Sequence, residues 1–336
     1  MTMQISLLIA MRKMSDLNRS QTVLLVDAMG LYLRHFVAHP AMGKDGQHVG
    51  GIIGFLTDLK KIVERFKPSP VYVIWEGGGS PRRRAIYKDY KSHRRPERLN
   101  RFYENDIPNT VSGRDNQVKI LVKLLKLTPI CQVYVPDCEA DDVIGYMSRY
   151  HFKDALKIIL SADKDYYQLI SEGSIIYSPT WKKLIQEQEV IERFGVHPAN
   201  FALAKAVCGD DSDNIPGVDG VGFKTLAKRF PDLARDEDVS LEALLSEARL
   251  KVDSGSKVQA YKNIADNEVL IQRNLSLVLL DTANLAAYQI ERINGICDNF
   301  KPSRNKIEFI RALLHEGIQT FNVDQFFLAL SHIQTS

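Results

Sequence analysis

The stretch CEADDVIG (138–145) places Glu139, Asp141 and Asp142 within a few positions of one another, directly after the apolar run ICQVYV (130–135). Acids in the first turn of a helix are favoured by its free N–H groups and positive dipole end, so this trio alone is compatible with an ordinary helix start. It gains meaning by repetition: LLVD ends at Asp27, VIWE ends at Glu76, and IILSADKD carries Asp163 and Asp165. Each set follows a short β-branched run of the kind that makes a buried strand. In open α/β sheets the ligand crevice lies outside the carboxyl ends of such strands. So many like charges converging on one sheet edge require a counterion. Oxygen donors with no nearby His or Cys suit a hard divalent cation, Mg2+ or Mn2+, better than zinc. Positions i and i+2 diverge on a regular helix, so Glu139 and Asp141 are expected to use an irregular helix entry. Which acid touches which ion stays open at this level.

The elements that must carry these acids follow from periodicity. TVLLVDA (22–28), VYVIWE (71–76), ICQVYV (130–135) and LKIILSA (156–162) read as strands. GGIIGFLTDLKKIVERF (50–66) sets Ile52, Ile53, Phe55, Leu56, Leu59, Ile62, Val63 and Phe66 at helical spacing, and QVKILVKLLKL (117–127) is a second amphipathic helix. Strands alternating with helices predict an α/β fold, a mostly parallel sheet covered on both faces. SLEALLSEARLKV (240–252) and KIEFIRALLHEGI (306–318) read as amphipathic packing helices.

Composition sets limits. In 336 residues, 45% hydrophobic and 25% charged, there is enough apolar content for real cores, and a net charge of +3 leaves partners to be read from where the charge sits. Cys131, Cys138, Cys208 and Cys297 form no CxxC pair or regular framework, which argues against a zinc site or disulfides. ISLLIA (5–10) follows no basic segment and is too short for a membrane span, so 1–20 reads as an irregular extension. A cytoplasmic compartment, that of the host if the protein is viral, is expected, with no membrane partner.

Two further stretches bear on nucleic acid. GGGSPRRRAIYKDYKSHRRPERLNR (77–101) carries nine Lys or Arg against two acids, among them Arg82, Arg83, Arg84, Lys88, Arg94 and Arg95, with Tyr87 and Tyr90 interleaved. A charge run is usually a solvated face, but this one abuts Glu76, and cations with interleaved aromatics suit a strand whose phosphates are neutralised and whose bases stack. Its three glycines are expected to act as a hinge. KAVCGDDSDNIPGVDGVGFKTLAKRF (205–230) resembles a phosphate loop, but Phe223 intervenes before Lys224 and Thr225, so the NTPase spacing fails. A tight turn with Gly217, Gly220 and Gly222 joining two helices instead brings bare backbone N–H groups close to a phosphate.

With these motifs assembled, residues 22 to about 230 resemble the flap endonuclease family of 5′ nucleases, which takes in bacteriophage enzymes and the 5′ nuclease domain of bacterial DNA polymerase I. YSPTWKKL (177–184) and LSLVLLD (275–281) resemble the phage branch more weakly. The resemblance implies a PIN-like sheet with a helical arch insert over about 77–110 and a helical C-terminal region with a helix-three turn-helix motif. It divides the chain into the extension 1–20, a nuclease core 21–190 and a DNA-binding region 191–336 with a glycine hairpin at 209–230. By resemblance Asp27, Glu139, Asp141, Asp142, Asp163, Asp165, Asp210 and Asp213 hold two divalent ions. Arg34 helps hold the substrate, Lys91 is a catalytic lysine at the arch base, and Lys224 contacts duplex beside a site for K+. The family usually has aspartate where this chain has Glu76, a side chain one methylene longer that can still reach a metal. The implied reaction is two-metal hydrolysis of DNA, and of RNA annealed to DNA, at 5′ flaps or 5′ ends in primer removal. A monomer is expected, with a single-strand-binding protein or sliding clamp as partner. Two rivals stand beside this: a PIN-like ribonuclease, and a catalytically silent binder of DNA structures with the same fold.

Overall fold

Short β-branched runs separated by amphipathic helices can bury both faces of a sheet only if the helices cross over it, and the chain does this throughout its first half. The computed structural model describes residues 21–92 and 110–333, with side chains from 113 onward in the second segment. The extension 1–20 and half of the expected arch, 93–109 with Arg94 and Arg95, lie outside the described residues. β1 (Thr22–Asp27) leads into α1 (Ala28–Ala38) and α2 (Gly50–Phe66). β2 (Val71–Trp75), α3 (Pro81–Ile86), α4 (Thr110–Leu125), β3 (Cys131–Tyr134), α5 (Ala140–Tyr146) and β4 (Leu156–Leu160) follow. β5 (Ser174–Ser178) and β6 (Lys183–Ile185) close the sheet as a hairpin.

The strand order is β3-β2-β1-β4-β5-β6, parallel except for β6. The chain steps outward from β1 to β2 and β3, then returns to place β4 on the other side of β1. The carboxyl ends of β1 and β4 therefore flank the point where the winding reverses, the place where such sheets open a crevice. Asp27 ends β1, and Ser161 and Asp163 follow β4.

Alternation along β1 divides the core. Leu24 and Val26 face a cluster with α1, α2 and α4, while Val23 and Leu25 face one with α5. Beyond the sheet come α6 (Glu187–Phe194), α7 (Phe201–Cys208), α8 (Phe223–Arg229), α9 (Leu241–Asp253), α10 (Gln259–Asp266) and α11 (Glu268–Val278). A third cluster joins α7 through α11 and takes in Tyr90, Ile86 and Tyr87 from the start of the basic insert. The last helices leave it. α12 (Ala287–Asp298) packs by Ile293 on the α5 face, and α13 (Lys306–His315) and α14 (Val323–Ala329) return to the α2 face. Phe309 of α13 is fully buried there, its ring 5.6 Å from Phe326 and 5.2 Å from Phe327. Residues 191–333 are thus shared among all three clusters.

If α13 is integral to the core rather than an appendage, Phe309→Ala lowers stability by about 3–5 kcal/mol. Urea unfolding followed by circular dichroism checks this; a change below ~1 kcal/mol would contradict it.

Candidate metal centre and nucleic-acid interface

Aspartates that begin helices arrive in defined orientations because the cap bond fixes them. Asp27 caps α1: one oxygen accepts from the Gly30 N–H (2.9 Å) and the other from the Ser161 hydroxyl (2.9 Å). Asp163 caps the 3-10 turn Lys164–Leu169, accepting from the Asp165 N–H at 2.9 Å, while its own N–H donates to Ser161 Oγ at 3.1 Å. Ser161 therefore ties the ends of β1 and β4 together. Asp141 projects from the first turn of α5 and accepts the Tyr166 hydroxyl at 2.6 Å.

The acids gather into two triads that share a member. Asp141, Asp163 and Asp165 each bring one oxygen within 4.8 Å of the others, and so do Asp165, Asp210 and Asp213. An all-oxygen donor set of this kind fits hard divalent cations. Asp27 and Glu76 belong to neither triad but lie within electrostatic reach of Asp141. Glu76 spends its extra length on backbone: Oε1 accepts from Gly79 N (3.1 Å) and Oε2 from Ala140 N (3.3 Å), the first residue of α5. Glu139 precedes that helix and is buried, its Oε2 accepting from Tyr90 (2.9 Å), Lys91 (2.7 Å) and Arg83 (3.1 Å).

Three expectations change here. Asp142 is 1% exposed and both its oxygens are bound by the Arg83 guanidinium, at 2.6 and 2.7 Å. Adjacent helical positions point about 100° apart, and here Asp142 turns to Arg83 while Asp141 turns to Tyr166. Arg83 is 2% exposed and also donates to the Leu277 carbonyl (2.7 Å), and Tyr90 is 6% exposed. Neither presents itself to a nucleic acid; they fasten the insert to α5 and α11. Gly77 is no hinge either, because a Cβ there would meet the Val135 carbonyl at 1.8 Å, so its backbone is packed against the next strand's exit. Arg82, Arg84 and Lys88 remain exposed, and Tyr87 is half-buried beneath Arg273, 4.4 Å from its ring centre.

Lys91 lies among the acids: besides Glu139, its ammonium lies 3.9 Å from Asp213 Oδ2, and its backbone N–H donates to the Asp213 carbonyl at 2.9 Å. Asn214 adds bonds to the Asp89 carbonyl (2.9 Å) and Ser92 (3.2 Å). The near end of the insert is thereby docked on the GDDSDN loop. Arg34 extends from α1 to Thr180 on the β5–β6 turn (2.9 Å).

The glycine turn between α7 and α8 is held by packing. A Cβ on Gly217 would sit 2.1 Å from the Cys208 carbonyl, so only glycine lets the strand cross the end of α7. Val218 and Val221 are buried anchors, whereas Gly220, Gly222 and Lys224 are exposed and Thr225 is half-buried, leaving the start of α8 facing outward. Asn274, fully buried, donates to the Ala206 and Pro216 carbonyls at 2.9 and 2.8 Å and staples the turn to α11.

Sequence reasoning passed over Lys205, Ser161, Tyr166 and Asn274. Lys205 was the most findable: it is the lone charge in the apolar helix FALAKAVC (201–208), and its ammonium bonds Asp165 and Asp210. Compensation of the acids is nonetheless incomplete. Burial, then the Asp141 charge, pushes Asp27 and Asp163 up to about 6. Burial, then Asp163, pushes Asp165 up to about 7 even though Lys205 opposes it. Glu76 is also pushed up to about 7, by loss of water and then by Asp141 and Glu139; its exposed face lets solvent moderate both effects.

Because these carboxylates sit above their ordinary values, the folded chain holds extra protons between roughly pH 4 and 7, and their contribution to stability is lost as pH rises through 6 to 7. Without divalent ions the melting temperature should fall by on the order of 5 °C between about pH 5 and pH 8. Millimolar Mg2+ or Mn2+ should restore more of it at the higher pH, as scanning calorimetry would register; equal restoration at both pH values would count against the acid cluster as the cause. Arg83→Ala, which strands the buried carboxylate of Asp142, should cost about 3–5 kcal/mol in urea unfolding. A DNA-contacting arginine would cost binding and leave stability unchanged.

The sequence profile described as "5′-3′ exonuclease, N-terminal resolvase-like domain" matches residues 22–195. A 5′-3′ exonuclease of Aquifex aeolicus (strain VF5) is 31% identical over 207 residues, which are 61% of this chain and 67% of that protein. Thermostable DNA polymerase I of Thermus aquaticus is 33% identical over 242 residues, 71% of this chain, and the match spans only 27% of that polymerase. Among solved structures, a variant of the bacteriophage T5 D15 flap endonuclease, crystallised as a pseudo-enzyme-product complex with DNA and metal ions, superposes with a TM-score of 0.61. That likeness covers 89% of this chain and 100% of the T5 chain at 20% identity, and is one of fold. No described helix is long and apolar enough to cross a membrane. With the profile spanning more than half of the chain, the protein belongs to the 5′-3′ exonuclease family.

Proposed function

We propose that this chain hydrolyses phosphodiester bonds near the 5′ ends of DNA, including 5′ flaps and RNA annealed to DNA, using two divalent ions. The observation that carries this is the pair of carboxylate triads meeting at Asp165, at the crevice where the sheet's winding reverses. Asp141, Asp163 and Asp165 would hold one ion and Asp165, Asp210 and Asp213 the other. Asp27, Glu76 and Glu139 stand behind them and act through water or by orienting the nearer groups. Asp142 serves as the anchor for Arg83 rather than as a ligand. Mg2+ is the expected physiological ion, with Mn2+ able to replace it.

Such ions, when bound, supply Lewis acidity toward the phosphodiester and hydroxide at neutral pH. The chain's own groups do the rest. Tyr166 and Ser161 fix the rotamers of Asp141 and Asp27. Lys91, held between Glu139 and Asp213, puts a positive charge where negative charge grows on the phosphate. Arg34 steadies the substrate from α1. The exposed Gly220, Gly222, Lys224 and Thr225 grip duplex backbone, with a K+ ion held by backbone carbonyls of the same turn. Arg82, Arg84, Tyr87 and Lys88, with Arg94 and Arg95 beyond the described residues, track the single strand. Cleavage then falls at the junction and leaves a 5′ phosphate. Acting as a monomer in the cytoplasm, or in a host's if the protein comes from a bacteriophage, such an enzyme would remove primers during replication beside a single-strand-binding protein or sliding clamp.

Asp163→Ala should lower cleavage of a labelled 5′-flap duplex in Mg2+ by more than about 100-fold, the upper end for losing a mere supporting group. Flap affinity, measured by fluorescence anisotropy in Ca2+, should stay within about threefold, since phosphate contacts dominate it. A parent protein that binds the flap and never cuts it in Mg2+ or Mn2+ would instead be a silent binder.

A further inference from the structure

The second triad already contains a cation. Lys205 rises from the middle of α7, is 5% exposed, and places its ammonium against Asp165 Oδ1 and, at 2.6 Å, Asp210 Oδ2. Asp210 turns its other oxygen to the N–H and hydroxyl of Ser212, at 2.8 and 2.6 Å. The first triad is different. Asp141 and Asp163 make no ion pair among the described residues; their partners are the Tyr166 hydroxyl and the Asp165 N–H. Two groups of acids that share Asp165 are therefore compensated unequally.

We propose that Lys205 is a tethered cation of the second triad: it holds Asp165 and Asp210 together when no ion is present, and a second divalent ion must displace it. This rests on the two-ion reading above and adds a positioning residue to it. A hard cation needs the carboxylate oxygens at about 2.0–2.1 Å, and an ammonium hydrogen-bonded to the same oxygens competes for their lone pairs and repels the ion. The lysine is bonded to both carboxylates at once, so an ion can take their oxygens only by displacing its ammonium. It has somewhere to go: a cleft of about 590 Å³ opens beside it, lined by Asp163, Lys164, Gly209, Ser212 and Phe223. An anionic phosphate there would give the released ammonium a new partner, which couples arrival of the second ion to arrival of substrate.

The test is a calorimetric Mn2+ titration of the full chain without nucleic acid, paired with melting curves, for the parent, Lys205→Met and Lys205→Arg. Lys205→Met should bind the second Mn2+ on the order of tenfold more tightly, the effect of removing one close opposing charge. Its ion-free melting temperature should fall by roughly 5–10 °C and recover in saturating Mn2+. Lys205→Arg should behave as the parent. An unchanged second affinity in Lys205→Met, or a melting loss that Mn2+ does not recover, overturns the assignment of Lys205 and leaves the two-ion reading standing. A parent that binds no Mn2+ overturns both. Should Lys205→Met fail to fold, anomalous diffraction from Mn2+-soaked parent crystals decides: an ion on Asp165 and Asp210 with the ammonium moved off supports the proposal, and an ion there with Lys205 still bonded to both carboxylates overturns it.

Discussion

Mutual repulsion among carboxylates at one sheet edge is the constraint around which this molecule is arranged. A parallel sheet whose winding reverses beside β1 brings strand exits together whatever residues occupy them, and here the occupants are Asp27, Glu76, Asp163 and Asp165, with Asp141 over them. Burial raises the cost of each charge, and each raises the cost of the others. The fold answers with fixed cations placed to one side: Arg83 on Asp142 and Glu139, Lys91 on Glu139, and Lys205 on Asp165 and Asp210. Among the described residues, Asp141 and Asp163 are left with hydroxyl and backbone donors alone. An acid pair so exposed to its neighbours' charge is unfavourable in an ion-free chain and favourable in one that binds cations, which is how a structural penalty becomes affinity.

The same constraint explains what could be read in advance. Asp27, Asp163 and Asp165 were legible because a strand's end is visible as the close of a β-branched run, and parallel strands put their ends on the same side. Asp210 and Asp213 were legible only through resemblance, since they lie in a loop whose path to the sheet depends on α7 packing by Phe201 and Leu203. Arg83 and Tyr90 were misread for a physical reason. A run of basic residues has a composition, but which of its members turns inward is decided by partners far along the chain, Asp142 and Glu139. Nothing local to RRR distinguishes the buried arginine from its exposed neighbours; only the cap at Ser80, which starts a short helix with Pro81 at its first position, sets the rotation that points Arg83 at α5.

Amphipathic helices pose a similar ambiguity on a larger scale. The periodicity of 306–318 declared an apolar face without saying which surface would cover it, and α9 and α13 carry comparable patterns into different clusters. The deciding features are non-local: the Leu127 carbonyl receiving the Asn305 N–H (2.9 Å) and Lys60 reaching Gln325 (3.1 Å) pull the end of the chain back onto α2 and α4. The core that supports the acid-bearing strands is therefore completed by the last residues described.

Glu139 shows how closely the parts are joined. A single carboxylate oxygen accepts from Arg83 and Tyr90, which hold the start of the insert, and from Lys91, whose backbone is bonded to Asp213 in the loop after α7. The insert, the helix that carries Asp141, and the loop that carries the second triad thus meet at one buried group. Shifting any of them by an ångström would break a charge-assisted bond in low dielectric, where such bonds are strong. The described start of the insert, up to Ser92, and the loop before the glycine turn are consequently fixed relative to the acids between them. On the proposed reading, selecting a junction in DNA would draw on that fixed relation.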